Sequence, residues 1–457
     1  MLFRSDGFEG GNTVTAIVGA SIGPHALGWI SDDRAAHTLA EFGIVFLLFS
    51  VGLEFSLPKL RAMRRAVFGL GLAQVAITTA AGVAALVLAG HGWQAGLVLG
   101  GALAMSSTAI VSKMLTERGE LASPHARDAI AILLFQDLAV VAFLIVIPSL
   151  HAEAPALAIG LGLAALKAAV ALVVVLYAGQ RPMRWWFSVV ARQRSRELFT
   201  LNVLLVTLGL AALTDFAGLS LELGAFLAGM LIAETEFRYQ VEEDIAPFRD
   251  VLLGLFFVTI GMALDLGVVA SNIGWVLALL VVPVAAKLAL IVLLARAFGS
   301  SPGTALRTGL YLAQAGELAL VMLALAAQHR IVGGDAAQIV LAAMVLSMLA
   351  APVQIQFIEP IVRRLTAGDW LARAAQVTAI ASQAMARQEH VIVCGYGRSG
   401  QNLARLLDAE DIAWVALDND PHRVREAAGA GGSVVYGDAG RRETLTAAGL
   451  AKARAVV

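Results

Sequence analysis

Most of this chain is a succession of long apolar runs broken by short charged connections. Runs of that length without a polar face predict membrane-crossing helices rather than core strands or amphipathic surface helices. Segmented by hydropathy, the pattern predicts twelve spans, near residues 13–30, 38–57, 66–90, 94–116, 125–150, 154–178, 197–217, 219–234, 248–265, 271–298, 303–328 and 334–362. Alternate connections carry the basic residues: Lys59, Arg61, Arg64 and Arg65; Arg118 and Arg127; Arg181, Arg184, Arg192, Arg194 and Arg196; Arg238; Arg363 and Arg364. The remaining connections carry little more than Arg34 and Arg330. By the positive-inside rule the first set faces the cytoplasm, and so does whatever follows Arg364.

The order of spans predicts an internal repeat, five spans before and five after a connecting pair, with opposite orientation. Spans one and eight are both short and glycine-rich, at Val18-Gly-Ala-Ser-Ile-Gly-Pro24 and Leu223-Gly-Ala-Phe-Leu-Ala-Gly229. The fourth span of each set carries polar residues midway, Met105-Ser-Ser-Thr108 and Gln314-Ala-Gly-Glu317. Interrupted spans in matching positions of two inverted halves point to a substrate site at the bilayer midplane. Close helix packing on small residues is the plainer explanation of either stretch alone.

After residue 364 the pattern changes. Residues 365–388 predict a connecting helix, and 389–457 the first part of a Rossmann-like domain: strand His390–Cys394, helix Ser399–Leu407, strand Ala413–Leu417, helix Pro421–Ala427, strand Ser433–Tyr436. Ala455-Val-Val457 reads as the start of a fourth strand, so the domain is expected to be cut short. The fold expected is thus an all-α membrane domain over 1–364 followed by a linker and an α/β domain.

Composition sharpens this. At 59% apolar and 15% charged residues, the chain departs from soluble proteins in both directions. A net charge of −1 gives no reason to expect a nucleic-acid partner. One cysteine, Cys394, excludes a disulfide framework and reads as a buried strand residue. Residues 1–12 have no apolar stretch of the kind a cleavable signal peptide needs.

Two lone charges sit deep in apolar runs. Asp137 lies in Ala131-Ile-Leu-Leu-Phe-Gln-Asp-Leu-Ala139, and Lys287 in Val282-Pro-Val-Ala-Ala-Lys-Leu-Ala-Leu290. A charge at that depth costs at least about 2.5–3.5 kcal/mol, which usually marks an ion or proton pathway. One carboxylate can hold a proton or a dehydrated monovalent cation but not both well, and that competition is the physical basis of exchange. Lys287 either pairs with Asp137 when no cation is bound or braces the core as a fixed charge. With Gln136 where a second acid could stand, one proton per cation is expected. Ser106, Ser107, Thr108, Gln314 and Glu317 are candidate supporting ligands. Asp128 and Arg127 read as a solvated helix start, and Glu222 as an interfacial residue. No second catalytic domain, paired cysteine or convergent His or Ser site suggests an enzyme, and no resident metal is expected.

Gly395-Tyr-Gly-Arg-Ser-Gly400 follows a strand and opens a helix, with Asp418 ending the next strand. Glycines let backbone approach a phosphate, Arg398 and Ser399 open the helix beside it, and the carboxylate holds ribose hydroxyls. Asp418 and the adjacent Asn419 favour an unphosphorylated ribose, as in NAD(H) or AMP. Asp438, closing the third strand, either lines the same cleft or simply makes a turn. The stretch Glu234–Pro247, with Glu242, Glu243 and Asp244, reads as an acidic cytoplasmic turn that could latch onto the nucleotide domain.

Together these residues resemble the Kef branch of the cation:proton antiporters. The matching stretches are Leu103–Ile110, Leu133–Ala139, Gly224–Met230, Leu253–Phe257 with Gly261-Met262, and Gly395–Gln401. The resemblance implies potassium efflux coupled to proton uptake across a bacterial inner membrane, a homodimer, and Asp137 as the ion-binding carboxylate. It also implies a gating nucleotide-binding domain of the potassium-transport type, control by glutathione, and a cytoplasmic regulatory oxidoreductase subunit. Members begin with one more membrane helix than residues 1–12 supply. Tyr239 and Gln240 replace the His-Ala expected in the acidic stretch, which argues against glutathione control. A sodium/proton antiporter of the same fold is the nearest alternative. A potassium channel would need a filter after a pore helix, whereas Gly395-Tyr-Gly397 lies in the soluble part. A membrane-anchored NAD-dependent redox sensor is the alternative from another class.

Overall fold

The computed structural model describes residues 9–29, 34–55, 57–151, 167, 179–217, 220–366, 389–418, 423–424, 427, 432–437, 439–440 and 442–457. The sixth predicted span apart from Lys167, most of the linker, and Asn419 and Asp438 lie outside the described residues, as does most of the helix predicted at 421–427. The chain divides into two compact units, Met1–Ile358 and Glu359–Val457.

The first unit is helical. In order it contains α1 (Glu9–Ile22), α2 (Arg34–Glu54), α3 (Leu57–Ala66), α4 (Leu72–Leu88), α5 (Trp93–Ala104), α6 (Thr108–Glu117), α7 (Pro124–Val146), α8 (Gln180–Arg192), α9 (Arg196–Phe216), α10 (Leu221–Ala233), α11 (Arg238–Met262), α12 (Leu266–Ser271), α13 (Ile273–Ala297), α14 (Pro302–Leu312), α15 (Glu317–Gln328) and α16 (Gly334–Gln356). Helix α17 (Ile358–Leu365) follows. A single π-helical turn, Val67–Gly71, joins α3 to α4. Serines begin many of these helices for a plain reason. In Ser107, Ser123, Ser195, Ser220 and Ser301 the side-chain oxygen accepts a hydrogen bond from a free N–H of the first turn.

Glycines then bring helices into backbone contact. Gly52 of α2 rests on the Phe226 carbonyl of α10, and Gly229 of α10 on the Phe49 carbonyl of α2. The same reciprocal arrangement joins α1 to α11, with Gly19 on the Val258 carbonyl and Gly261 on the Ala16 carbonyl. Where lipid removes most of the hydrophobic drive between helices, such close packing holds them together.

Among the described residues seven helices or helix pairs are long and apolar enough to cross a membrane, and eight if the bent pair α14 and α15 counts as one. The hydropathy count of twelve is therefore not reproduced; α10, at 13 residues, is too short for that test. A correction concerns Glu234–Pro247. From Arg238 onward it is not a turn but the beginning of α11, which runs through Pro247 without ending. Asp244 is buried there and pairs with Arg196 at 2.7 Å, while Glu243 is exposed.

The second unit has four parallel strands in the order β3-β2-β1-β4: β1 (Val391–Cys394), β2 (Trp414–Asp418), β3 (Val434–Tyr436) and β4 (Ala455–Val456). Alternate residues pack on opposite faces, Val391, Val393, Trp414 and Ala416 on one and Ile392, Val415 and Leu417 on the other. That two-sided burial is what a parallel sheet requires. Helix α18 (Arg398–Ala409) follows β1, and α19 (Arg442–Ala447) precedes β4. Cys394 ends β1 exposed rather than buried, because the strand stops there and the glycine loop begins.

Candidate functional site

Both predicted interruptions are real breaks, residues 105–107 between α5 and α6 and 313–316 between α14 and α15, and they touch. A methyl group on Gly316 would collide with the Ser106 carbonyl and the Ser107 nitrogen, so glycine is what lets the two backbones meet. The Ser106 hydroxyl donates to the Leu312 carbonyl at 2.8 Å, tying the first break to the end of α14.

Asp137, in the middle of α7, is 7% exposed and faces the start of α6. The Thr108 hydroxyl donates to its two carboxylate oxygens at 3.2 and 3.4 Å. Its neighbour Gln136 has a different task. The Gln136 Oε1 accepts from the Ser106 N–H at 2.8 Å, and its Nε2 donates to Gln74 Oε1 at 2.8 Å. Gln74 in turn donates to the Ala104 carbonyl, so two stacked amides pin α4 and α7 to the first break.

Lys287 does not pair with Asp137. Its ammonium donates to the Met105 carbonyl at 2.8 Å and the Gln314 carbonyl at 3.0 Å, one at each break. These carbonyls lie at the C-terminal ends of α5 and α14, where partial negative charge accumulates, and a cation is favoured there. The opposite ends carry acids. Glu317 stands in the first turn of α15 with the Ser107 side chain against it, and Asp137 stands at the start of α6. Each half-helix terminus at the crossing thus meets a titratable side chain whose charged form its dipole favours.

Gln314 is fully buried, yet neither Nε2 nor Oε1 of its side-chain amide has a hydrogen-bond partner among the described residues. Glu54 was not singled out by the sequence, yet its carboxylate lies within electrostatic reach of Asp137, Glu317 and Glu242. Glu54, Glu242 and Arg249 border a small depression between α2 and α11. Near the ends of α6 and α7, Glu120 accepts from the Tyr311 hydroxyl at 2.9 Å and bonds His125 at 2.8 Å. The hydrogen bond with His125 holds the Glu120 carboxyl below the usual carboxylate range. Asp128 is bonded by Ser300 at 2.6 Å and so is not simply solvated.

In the second unit, Gly395 has a left-handed φ of 105° and Gly400 packs against its carbonyl too closely for any side chain. The Asp418 carboxylate accepts from the Tyr396 N–H at 2.6 Å and pairs with Arg423 at 3.4 Å. Gly397 and Ser399 complete the turn into α18, and Arg398 is its first residue. This cradle fits a nucleotide: bare backbone at a helix start, and a carboxylate at the end of the next strand.

The model of the sodium/hydrogen exchanger transmembrane family matches residues 12–359. The chain belongs to that family. A TrkA-N domain, a nucleotide-binding domain, matches residues 391–457 of this chain. It is similar to K(+) efflux antiporter 1, chloroplastic, of Arabidopsis thaliana, 41% identical over 98% of this chain and 38% of that protein. It is also similar to a putative K(+) efflux antiporter KefB of Alkalimonas amylolytica, 42% identical over 96% of this chain and 67% of that one. The chain thus spans less than half the length of the plant relative. Among solved structures it resembles the sodium proton antiporter MjNhaP1 of Methanocaldococcus jannaschii, with a TM-score of 0.55, 16% identity, and coverage of 77% of this chain and 92% of that one. That likeness concerns the fold alone.

Proposed function

We propose that this exchanger moves a monovalent cation against a proton, with Asp137 holding one or the other in turn. The observation that carries the reading is Asp137 itself. It is a buried carboxylate at two touching helix breaks, with Thr108 its one hydrogen-bond donor among the described residues and Lys287 engaged elsewhere. Protonated, the carboxyl would be neutral and bind no cation; deprotonated, it would take one together with Thr108 and the unpaired amide of Gln314. The reciprocal glycine contacts of α1 with α11 and of α2 with α10 fit two inverted repeats around that point.

Potassium is the favoured cation, because the relatives at 41% and 42% identity carry the name K(+) efflux antiporter. Sodium is the alternative. One carboxylate implies one proton per cation and no net charge moved. The basic connections favour a bacterial cytoplasmic membrane with the nucleotide domain on the cytoplasmic side. In that domain Gly395–Gly400 would hold the phosphate and Asp418 the ribose of AMP or NAD(H). Assembly as a homodimer, with a separate regulatory oxidoreductase subunit, completes the reading. Buried Asp244, tied to Arg196, fits a regulatory role better through the α9–α11 contact than as a free latch.

The test is pH change inside proteoliposomes on adding potassium or sodium, with and without an imposed membrane potential. A potassium response larger than the sodium response and indifferent to the potential supports the reading. A response that follows the potential overturns electroneutral exchange, and a sodium-only response changes the substrate.

A further inference from the structure

A cavity of about 290 Å³ lies between α4, α5, α13 and α16, immediately behind the crossing of the two breaks. Its floor is Lys287 with Ala313 and Ala315 of the second interruption, all nearly inaccessible. Its walls are apolar, Leu103 from α5 and Val340 and Ala343 from α16 among them. Its mouth lies at Leu279 and Val282 of α13, 37% and 64% exposed, with Ala85 of α4 opposite. Helix α13 is the least covered of the candidate spans, so what reaches this mouth in a membrane is hydrocarbon.

The cavity offers almost nothing to a polar ligand. Its two polar side chains are Lys287 and Ser347, and both engage backbone of the interruptions. Lys287 donates to Met105 and Gln314, and the Ser347 oxygen accepts from the Ala315 N–H at 3.1 Å. Apolar cavities of this kind stay dry, and one of roughly 150 Å³ already accepts a benzene ring. Twice that space, opening sideways between membrane spans, suits a flexible apolar chain.

We propose that this cavity is a binding site for one acyl chain of a membrane phospholipid, whose end rests against the second helix break beside Lys287. The chain packs on Ala313 and Ala315 and supports the segment that carries Gln314. Bilayer composition is thereby coupled to the crossing without any contact between lipid and ion.

The experiment is photolabelling of the full-length protein in nanodiscs by a phosphatidylcholine bearing a diazirine at mid-chain, read by peptide mass spectrometry. Peptides carrying Leu103 and Val340 are expected to label at least fivefold more than the exposed face of α9 at Leu201 and Leu205. Ala343→Phe fills the cavity and is expected to abolish that excess while leaving α9 labelling unchanged. Ala85→Phe, at the exposed mouth where no packing is disturbed, is expected to do the same if Ala343→Phe fails to fold. Labelling no stronger than on α9, or unchanged in a folded variant, overturns the proposal. So does labelling by a free alkyl diazirine without labelling by the phospholipid, which would mark a site for small apolar solutes. The readout needs no transport, so it stands or falls separately from cation exchange.

Discussion

The two helix breaks perform one topological task with opposite chemistry. At residues 105–107 nearly every polar group is engaged: Ser106 with Gln136 and Leu312, Ser107 with the Ile110 N–H, Thr108 with Asp137. At residues 313–316 the only polar side chain is Gln314, and its amide is left unpaired. The first break is held by side chains gathered around the carboxylate; the second is held through its backbone, by Lys287 and Ser347, and keeps an unused side-chain ligand. A buried amide without a partner costs about 1–3 kcal/mol, so its persistence suits a site completed by something from outside.

Substitutions at and around the two breaks put this contrast to the test. Gly316→Val drives a side chain into the Ser106 backbone and is expected to destabilise by roughly 3 kcal/mol or more. Thermal unfolding in detergent should show a large loss of Tm, and a Tm near wild type would mean the breaks do not truly touch. Gln136→Met leaves the Ser106 N–H and the Gln74 Oε1 unpaired, at about 2–4 kcal/mol. The same assay checks it, with Gln74→Met expected to add little on top because the two amides act as one unit.

Glu120→Gln weakens the charged hydrogen bonds from Tyr311 and His125 and should cost about 1 kcal/mol. Its sign with pH is fixed by the depressed carboxyl. That stabilisation is complete above the ordinary carboxylate value of 4.5 and is lost as pH falls through the lower folded value. The difference in Tm between wild type and Glu120→Gln should therefore shrink below that value. Gln314→Met is expected to keep or raise Tm, because it removes no hydrogen bond and relieves a buried unpaired amide. Cation affinity, read from the concentration dependence of proton flux, should fall several-fold. A fall in Tm without a change in affinity would reverse the roles assigned to the two breaks.

The same contrast explains what was legible in the sequence. Asp137, Gln136, Ser106–Thr108, Gln314 and Glu317 stand out because polar residues inside apolar runs need a reason to be there. The glycine loop and Asp418 stood out by register with their strands. Gln74 escaped notice because one amide near the start of an apolar run looks like an ordinary helix end; only its contact with Gln136, 62 positions away, gives it meaning. Glu54 was hidden in the same way beside a basic connection. Acidic residues and a proline make Glu234–Pro247 look like a turn, whereas Asp244 finds its partner in Arg196 and the helix carries on. Cys394 shows the reverse error, an apolar-looking residue exposed where a strand gives way to a loop.

The account rests on Asp137, and the direct test is cation-triggered proton flux in proteoliposomes, wild type beside Asp137→Asn. The asparagine keeps the hydrogen bond with Thr108 within reach and removes only the exchangeable charge, so the account predicts a folded protein with flux at background. Flux persisting in Asp137→Asn at wild-type level would contradict it.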